Sequence, residues 1–255
     1  MLGLKNIDID EAEINAEAEP FEYAETEQSL PSSVDWRTKG VVANIKNQAS
    51  CGSCYSFSAL EALQSHYHLK KGAASSPTSV INLSEQQVVD CSRNYGNMGC
   101  SGGLMTNTYN YLKANSIMLE TDYVYRARQG TCKYSSSKGK FKVTSYVNVP
   151  KNDPAALMQA VAKQPVAVAL RASSSVFQLY RSGIISSTSC GTRVDHAVNL
   201  IGYGTENGKA YWLLKNSWGT TWGEKGFFKI LRTTSKDAGI CGVLSMSSYP
   251  TGISI

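Results

Sequence analysis

The chain predicts an α+β fold in two lobes, the first helical and the second rich in strands, with a cleft between them. Three observations lead there. Helical periodicity and helix-end residues dominate from Gln48 to about Leu112. From Phe141 onward, short β-branched and aromatic runs take over, with one helical stretch among them. At 255 residues and 42% hydrophobic content, the chain is long enough for one large domain or two small lobes, each around its own core.

In chain order, residues 1–29 are acidic and lack a periodic apolar pattern, and LPSSVDWR (Leu30–Arg37) marks the change to ordered composition. The domain therefore starts near Leu30, with the helical lobe over about 30–140 and the strand-rich lobe over about 141–255. The stretch Gln48–Gly72, QASCGSCYSFSALEALQSHYHLKKG, opens with small turn-prone residues and becomes helical near Ser53, its N-cap candidate. Phe57, Ala59, Leu60, Ala62, Leu63 and Tyr67 form its apolar stripe; Lys70 and Lys71 suit a helix end and Gly72 stops it. Ser84 with Gln87 is a capping box that opens a short helix toward Cys91. The preceding Asn82-Leu83-Ser84 is a glycosylation triplet that abuts this cap. Asn94–Gly103, with four glycines, is a loop, and Leu104, Met105, Tyr109 and Leu112 begin another helix. The strands are FKVTSYVNV, VAVAL, HAVNLIGYG, AYWLLKN and GFFKI, and Asp153-Pro154 starts the helix among them.

Several function classes are excluded or weakened. No run of about 18 apolar residues is present, so no membrane span is expected. Residues 1–19 lack the basic start and apolar centre of a secretory signal. Residues 1–29 hold nine acids and one lysine, a net of −8, so the remainder of this +5 chain carries +13. The plain reading is an acidic leader on a basic domain; the sharper one is a leader that lies across that domain until removed. Nucleic-acid binding is disfavoured, because the positive residues are scattered from Arg37 to Lys236 without a basic cluster among aromatics.

Seven cysteines (51, 54, 91, 100, 132, 190 and 241) suggest three bridges in an oxidising compartment and one cysteine with another use. Cys54 is the candidate. A buried inert thiol is the ordinary alternative, but the first turn of a helix presents N–H groups and partial positive charge that favour a thiolate. Such a nucleophile needs a base, and the chain has three histidines. His66 lies on the same helix, roughly 18 Å along the axis from Cys54, and His68 lies further still. These two suit packing rather than catalysis. His196 remains. A hairpin centred near Glu206 would set it opposite Asn216, whose amide can fix an imidazole's tautomer, although a tight turn at Asn207-Gly208 would shift that register. Gln48 can aim an amide at an oxyanion beside the Cys54 backbone N–H. Trp218 can shield the Asn–His contact from water, or simply belong to the core.

With these residues in view, the chain resembles the papain-like cysteine proteases, in texture most like the cathepsin L group. The family signature C-G-[SA]-C-[WY] stands here as CGSCY at Cys51–Tyr55. GCSGGLM (Gly99–Met105), VDHAVNLIGYG (Val194–Gly204) and YWLLKNSWGTTWGEKGFFKI (Tyr211–Ile230) are further matches, and the likeness runs from about Leu30 to Pro250. The resemblance implies a papain-like two-lobe fold with a β-barrel-like second lobe, no cofactor, no metal, and an endopeptidase acting on proteins or peptides. It implies Cys54 as nucleophile and His196 as its partner, resting as a thiolate–imidazolium pair, with Asn216 orienting His196 and Gln48 serving the oxyanion. It implies bridges Cys51–Cys100, Cys91–Cys132 and Cys190–Cys241.

On the same basis Gly102, Gly103, Asp195 and Trp218 would line the path of an extended substrate. Leu104, Met105, Ala169, Val194 and Met246 would wall an apolar pocket for the second residue before the cut bond, favouring Leu, Phe or Val and disfavouring Arg. Residues 1–29 would be the end of an inhibitory propeptide, so its larger part and any signal would lie outside this sequence, and the leader carboxylates facing a basic domain suggest release by acid. The resemblance further implies a monomer, cystatin-like inhibitors, and a lysosomal, acidic vacuolar or secreted location.

Two departures stand out: Tyr55 occupies the position where most members have tryptophan, and Cys54 to His196 spans 142 residues, slightly long for the family. Between Cys91 and Cys100 there is no histidine-bearing insertion of the kind that makes family exopeptidases. Competing readings are a thiol oxidoreductase using Cys51 and Cys54, which requires those two to bridge each other; a zinc site from Cys51, Cys54, Cys91 and Cys100, whose spacing is wrong for ligands; and a catalytically silent binding protein of the same fold with its leader retained.

Overall fold

The computed structural model describes residues 3–4, 17–23 and 30–255. Its helical lobe is built on α1 (Cys54–Lys71), which starts after Ser53 and ends at Gly72. Burial exceeds the expected single stripe: every residue from Cys54 to His66 is buried, polar ones included. The polar side chains therefore need partners inside the protein. Ser65 Oγ donates to the Val41 carbonyl at 2.8 Å, and Ser58 Oγ donates to the Val198 carbonyl at 2.7 Å. Asn199 Nδ2 returns a bond to the Ser58 carbonyl at 2.9 Å.

Helix α2 (Glu85–Cys91) is capped by Ser84 Oγ, which accepts from the Gln87 N–H at 3.0 Å. The reciprocal half of the expected capping box is missing, because the Gln87 amide is used elsewhere. It donates to Tyr111 Oη and the Ser116 carbonyl and accepts from the Met118 N–H. Helix α3 (Met105–Ala114) follows the glycine loop. The two distant histidines are structural: His66 pairs with Gln164 at 2.7 Å, and His68 bridges the Gly72 carbonyl and the Ile81 N–H.

The second lobe contains β1 (Val34–Asp35), β2 (Lys142–Val143), β3 (Tyr146–Asn148), α4 (Pro154–Lys163), β4 (Val166–Leu170) and α5 (Ser175–Gln178). These are followed by β5 (Ile184–Ile185), β6 (His196–Glu206), β7 (Lys209–Lys215), β8 (Phe227–Leu231), β9 (Ser247–Pro250) and β10 (Ile253–Ser254). The main sheet runs β3-β9-β4-β6-β7-β8-β5, with β1 also on β6, while β10 and β2 form a separate pair. Asp153 caps α4 through the Ala156 N–H, as its Asp-Pro start predicts.

The β6–β7 hairpin corrects the expected register. Its turn is Asn207-Gly208, both at positive φ, and a bulge lies between Leu200 and Gly202. Asn199 therefore pairs with Lys215, and Asn216 lies just past the end of β7, so it is no ladder partner of His196.

One apolar cluster surrounds Phe177, Trp212 and Phe228, and a second joins α1, α3 and the inner face of β4. The disulfides are Cys51–Cys100, Cys91–Cys132 and Cys190–Cys241. Residues 17–23 lie along the outer side of β3. The Glu19 N–H donates to the Tyr146 carbonyl at 2.8 Å, Tyr23 Oη donates to Asp153 Oδ2 at 3.1 Å, and Glu17 pairs with Lys113 at 3.1 Å. Of the nine leader carboxylates, Glu17, Glu19 and Glu22 are among the described residues, so most of the charge expected to face the basic domain lies outside them. The Glu17–Lys113 pair is exposed and contributes only about 0–1 kcal/mol.

The lobes are joined by a buried ion pair, Lys215 Nζ to Glu61 Oε1 at 2.7 Å, with Nζ also donating to the Ala43 carbonyl. Burial pushes the Lys215 ammonium below its usual range, and Glu61 opposes that shift. Lys215→Met strands the Glu61 carboxylate and is expected to cost about 3–5 kcal/mol in unfolding free energy measured in urea. Adding Glu61→Leu is expected to recover most of that loss, and a single variant with unchanged stability would contradict the account.

Candidate active site

The first turn of α1 meets the start of β6. Cys54 is fully buried and is the free cysteine among the described residues. The backbone N–H groups of Ala197, Gly3 and Tyr55 lie near its sulfur and favour its charged form, so the residue following His196 sits beside the thiol across the two lobes.

His196 is also fully buried, and its Nε2 lies 2.8 Å from Asn216 Oδ1. The Ser217 N–H donates to that same oxygen at 2.8 Å, which fixes the amide's orientation. Nε2 must then carry the proton and donate, which leaves Nδ1 as the basic nitrogen. Nδ1 is buried without a hydrogen-bond partner. The Trp218 ring covers the imidazole at a centroid distance of 4.8 Å and packs edge-on to Phe177.

Gln48 is buried in the loop before Cys54. Its Nε2 donates to the Cys51 carbonyl at 2.9 Å, and its Oε1 accepts from Ser217 Oγ at 2.8 Å. Its own N–H donates to the Ser217 carbonyl at 2.9 Å.

Ser53 holds the N-cap position but gives α1 no side-chain cap. Its hydroxyl instead lies 2.6 Å from Tyr125 Oη, a residue 72 positions away in sequence. Local sequence favours the cap, and the tertiary contact wins. Tyr55 spans the start of the helix: its hydroxyl donates to the Gly99 carbonyl at 3.0 Å, and its ring edge lies beneath Gly103. A Cβ at Gly103 would collide with the Asn97 carboxamide and come within 2.9 Å of that ring, so glycine is required there by space.

Gly3 and Leu4 occupy the cleft. The Gly103 N–H donates to the Gly3 carbonyl, and the Leu4 N–H donates to the Asp195 carbonyl, each at 3.1 Å, in a parallel bridge. A Cβ at position 3 would run into the Gly52 carbonyl. The Asp195 carboxylate is turned away and accepts from the Ala172 and Ser173 N–H groups. Gly102 contributes its carbonyl to the Met98 N–H, inside the loop. Leu4 is buried in the apolar cluster that holds Leu104, Met105 and Ala169, with Val194 and Met246 packed against it.

This covering changes the charge state expected of the site. Burial pushes the Cys54 thiol up to about 11, against the pull of its N–H donors. Burial also pushes His196 down to about 4, against the Asn216 hydrogen bond. Both shifts favour the uncharged thiol and imidazole over the thiolate–imidazolium pair that the family resemblance implies. Loss of water outweighs the helix end.

A profile of the papain family cysteine proteases matches residues 30–251. The chain belongs to that family. Oryzain beta chain of Oryza sativa subsp. japonica is 46% identical over 88% of this papain-family chain, which spans 47% of oryzain's length. The chain thus covers about half the length of that relative. Bromelain of Ananas comosus, in complex with the E64 inhibitor, aligns at a TM-score of 0.78 and 40% identity, covering 87% of this chain and 99% of that one. Digestive procathepsin L 3 of Tenebrio molitor larval midgut aligns at a TM-score of 0.83 and 35% identity, covering 94% and 77%. The Cys51–Cys100 bridge excludes the oxidoreductase reading and the four-cysteine zinc site alike. Among the described residues, no group of three or more His, Cys, Asp or Glu side chains converges as a metal site.

Sequence reasoning missed Ser217 and Tyr125. Ser217 adjoins Asn216 and was within reach of motif reading, whereas no local signal marks Tyr125.

A raised thiol pKa means that little thiolate is present at neutral pH while Gly3 and Leu4 cover the site. Alkylation of Cys54 by iodoacetamide is expected to be slow at neutral pH and to climb as pH approaches about 11. A chain lacking residues 1–29 is expected to react rapidly at neutral pH. Equal neutral rates for the two chains would show that the segment leaves the thiol's charge state alone.

Proposed function

We propose that this chain is a cysteine endopeptidase, with Cys54, His196, Asn216 and Gln48 as its working groups. The observation that carries the reading is a free cysteine at a helix start, set against the backbone of Ala197, beside a histidine on the other lobe whose Nδ1 is left bare by the Asn216 bond. In this reading His196 Nδ1 takes the Cys54 proton and the thiolate attacks the scissile carbonyl carbon. The resulting oxyanion is met by the Gln48 amide and the Cys54 backbone N–H. His196 gives its proton to the leaving amine as the C–N bond breaks, which leaves a thioester. It then takes a proton from water, whose oxygen attacks the thioester and releases the acid and the thiol. Asn216 holds the imidazole's tautomer throughout, and Trp218 keeps water from that bond.

Residues 1–29 act in this reading as the end of an inhibitory propeptide on a catalytic domain over 30–255. Support comes from Gly3 and Leu4, which use backbone groups of Gly103 and Asp195 and the apolar pocket that a substrate would need. Leu4 in that pocket supports a preference for Leu, Phe or Val two residues before the cut. Substrates are proteins or peptides, and inhibitors of the E64 and cystatin types would compete for the same cleft. A monomer suits this reading, as does an oxidising acidic vacuole, lysosome or extracellular space, given three disulfides. No described helix is long and apolar enough to cross a membrane.

The chain freed of residues 1–29 is expected to bind an epoxysuccinyl thiol reagent covalently and to hydrolyse peptide amides. Cys54→Ala should lose both properties, while His196→Ala should lose hydrolysis. Retained hydrolysis in Cys54→Ala would end the proposal. Substrates with Leu at the second position before the cut should exceed those with Arg by at least about tenfold in kcat/KM. Equal rates would refute the pocket assignment.

A further inference from the structure

The loop that carries Gln48 does not hold its own shape. Ala49, the next residue, sits at φ 50°, a left-handed conformation that disfavours side chains with a Cβ and is kept only where surroundings enforce it. Asn47 enforces it from one side, its Oδ1 accepting the Ala49 N–H at 2.9 Å. Ser217 holds Gln48 from the second lobe through its Oγ and its carbonyl. On the remaining side, Tyr125 Oη donates to the Gln48 carbonyl at 2.8 Å.

That carbonyl takes the Tyr125 proton, so the 2.6 Å contact with Ser53 must run from Ser53 Oγ to Tyr125 Oη. The relay Ser53–Tyr125–Gln48 therefore ties the Gln48 turn to the residue just before Cys54, the two flanks of the place where an oxyanion would form. Tyr125 is itself well fixed. Its N–H donates to Glu120 Oε1 at 2.8 Å, the neighbouring Arg126 N–H donates to Gln86 Oε1 at 2.7 Å, and its ring packs edge-on to Phe57 at 5.0 Å. Burial raises the Tyr125 hydroxyl to about 12, so it remains a donor throughout the neutral range.

We propose that Tyr125 is a positioning residue for the reaction, its hydroxyl clasping the Gln48 carbonyl to Ser53 so that the Gln48 amide is held at the oxyanion position. The proposal rests on the peptidase reading above and adds to it a residue outside every motif. It is specific to steps that build an oxyanion. Displacement of iodide from iodoacetamide by the Cys54 sulfur builds none, whereas peptide hydrolysis and addition to a peptide aldehyde both do.

Tyr125→Phe removes the hydroxyl and keeps the ring against Phe57. In the chain freed of residues 1–29, kcat for a peptide amide is expected to fall roughly tenfold with KM little changed. That is less than the 10²–10³-fold typical of losing an oxyanion donor outright. Inhibition by a peptide aldehyde should weaken by a similar factor, while the iodoacetamide rate stays within about twofold of the parent. Ser53→Ala, which leaves the Tyr125–Gln48 bond in place, should show a smaller loss of the same kind, and it serves if Tyr125→Phe does not fold. Unchanged kcat and aldehyde affinity would overturn the proposal, as would a parallel loss of alkylation, which would place the effect on the thiol or the fold. A parent chain that is alkylated at Cys54 but hydrolyses no peptide would overturn the peptidase reading itself.

Discussion

The full burial of the first two-thirds of α1 is the constraint on which the rest of this structure depends. A helix with one wet face could slide or roll against its neighbours at little cost. This one carries Ser58, Glu61, Gln64 and Ser65 into the interior, where each must find a partner or cost about 1–3 kcal/mol or more. The partners they find are in both lobes: Val198 and Lys215 on the sheet side, and Val41 and Leu83 around the helix. Satisfying them sets the helix in one position relative to β6. Cys54 at its start is thereby set against Ala197, the neighbour of His196 at the start of β6, as a by-product of polar accounting in the core. Two small lobes with a cleft between them would otherwise be free to move against each other, so the precision of the site rests on these buried polar contacts.

The covering of that site by Gly3 and Leu4 works through two effects. The first is spatial, because backbone groups that an extended peptide would use are already paired. The second is electrical, because excluding water shifts the thiol and the imidazole toward neutrality in opposite directions. A thiol at a helix start is activated by N–H donors only to the extent that the resulting charge can also be solvated. The same residues therefore describe a quiet site or a reactive one, depending on the backbone of Gly3 and Leu4 laid across them.

Much of this was legible in the sequence. The limits of α1, the Asp153 cap of α4 and the runs that become β4, β6, β7 and β8 follow from local patterns that the fold did not override, whereas the run FKVTSYVNV breaks into β2 and β3. The free cysteine and its histidine could be found by elimination, since His66 and His68 lie too far along one helix. The misses share a cause. The hairpin register depended on a turn type and a bulge, each able to slip the pairing by a residue or two. The Gln87 half of the capping box and the Ser53 cap gave way to tertiary partners at Tyr111, Ser116, Met118 and Tyr125. The charge state of Cys54 depended on its burial, which no reading of the helix start alone includes. The short strands β1, β5, β9 and β10 have too few residues to show alternation.

The pairing of Glu19 with Tyr146 has a consequence at the far side of the molecule. Strand β3 ends the main sheet, and residues 17–23 lie on its outer side. If that segment is released with the rest of the proposed leader, the outer backbone edge of β3, including the Tyr146 carbonyl, is bared to another extended chain. Under the proposed removal of the leader, opening of the cleft would thus be tied to colloidal behaviour: the freed form would also gain a sticky rim, its solubility managed by concentration and by the excess positive charge that repels one copy from the next.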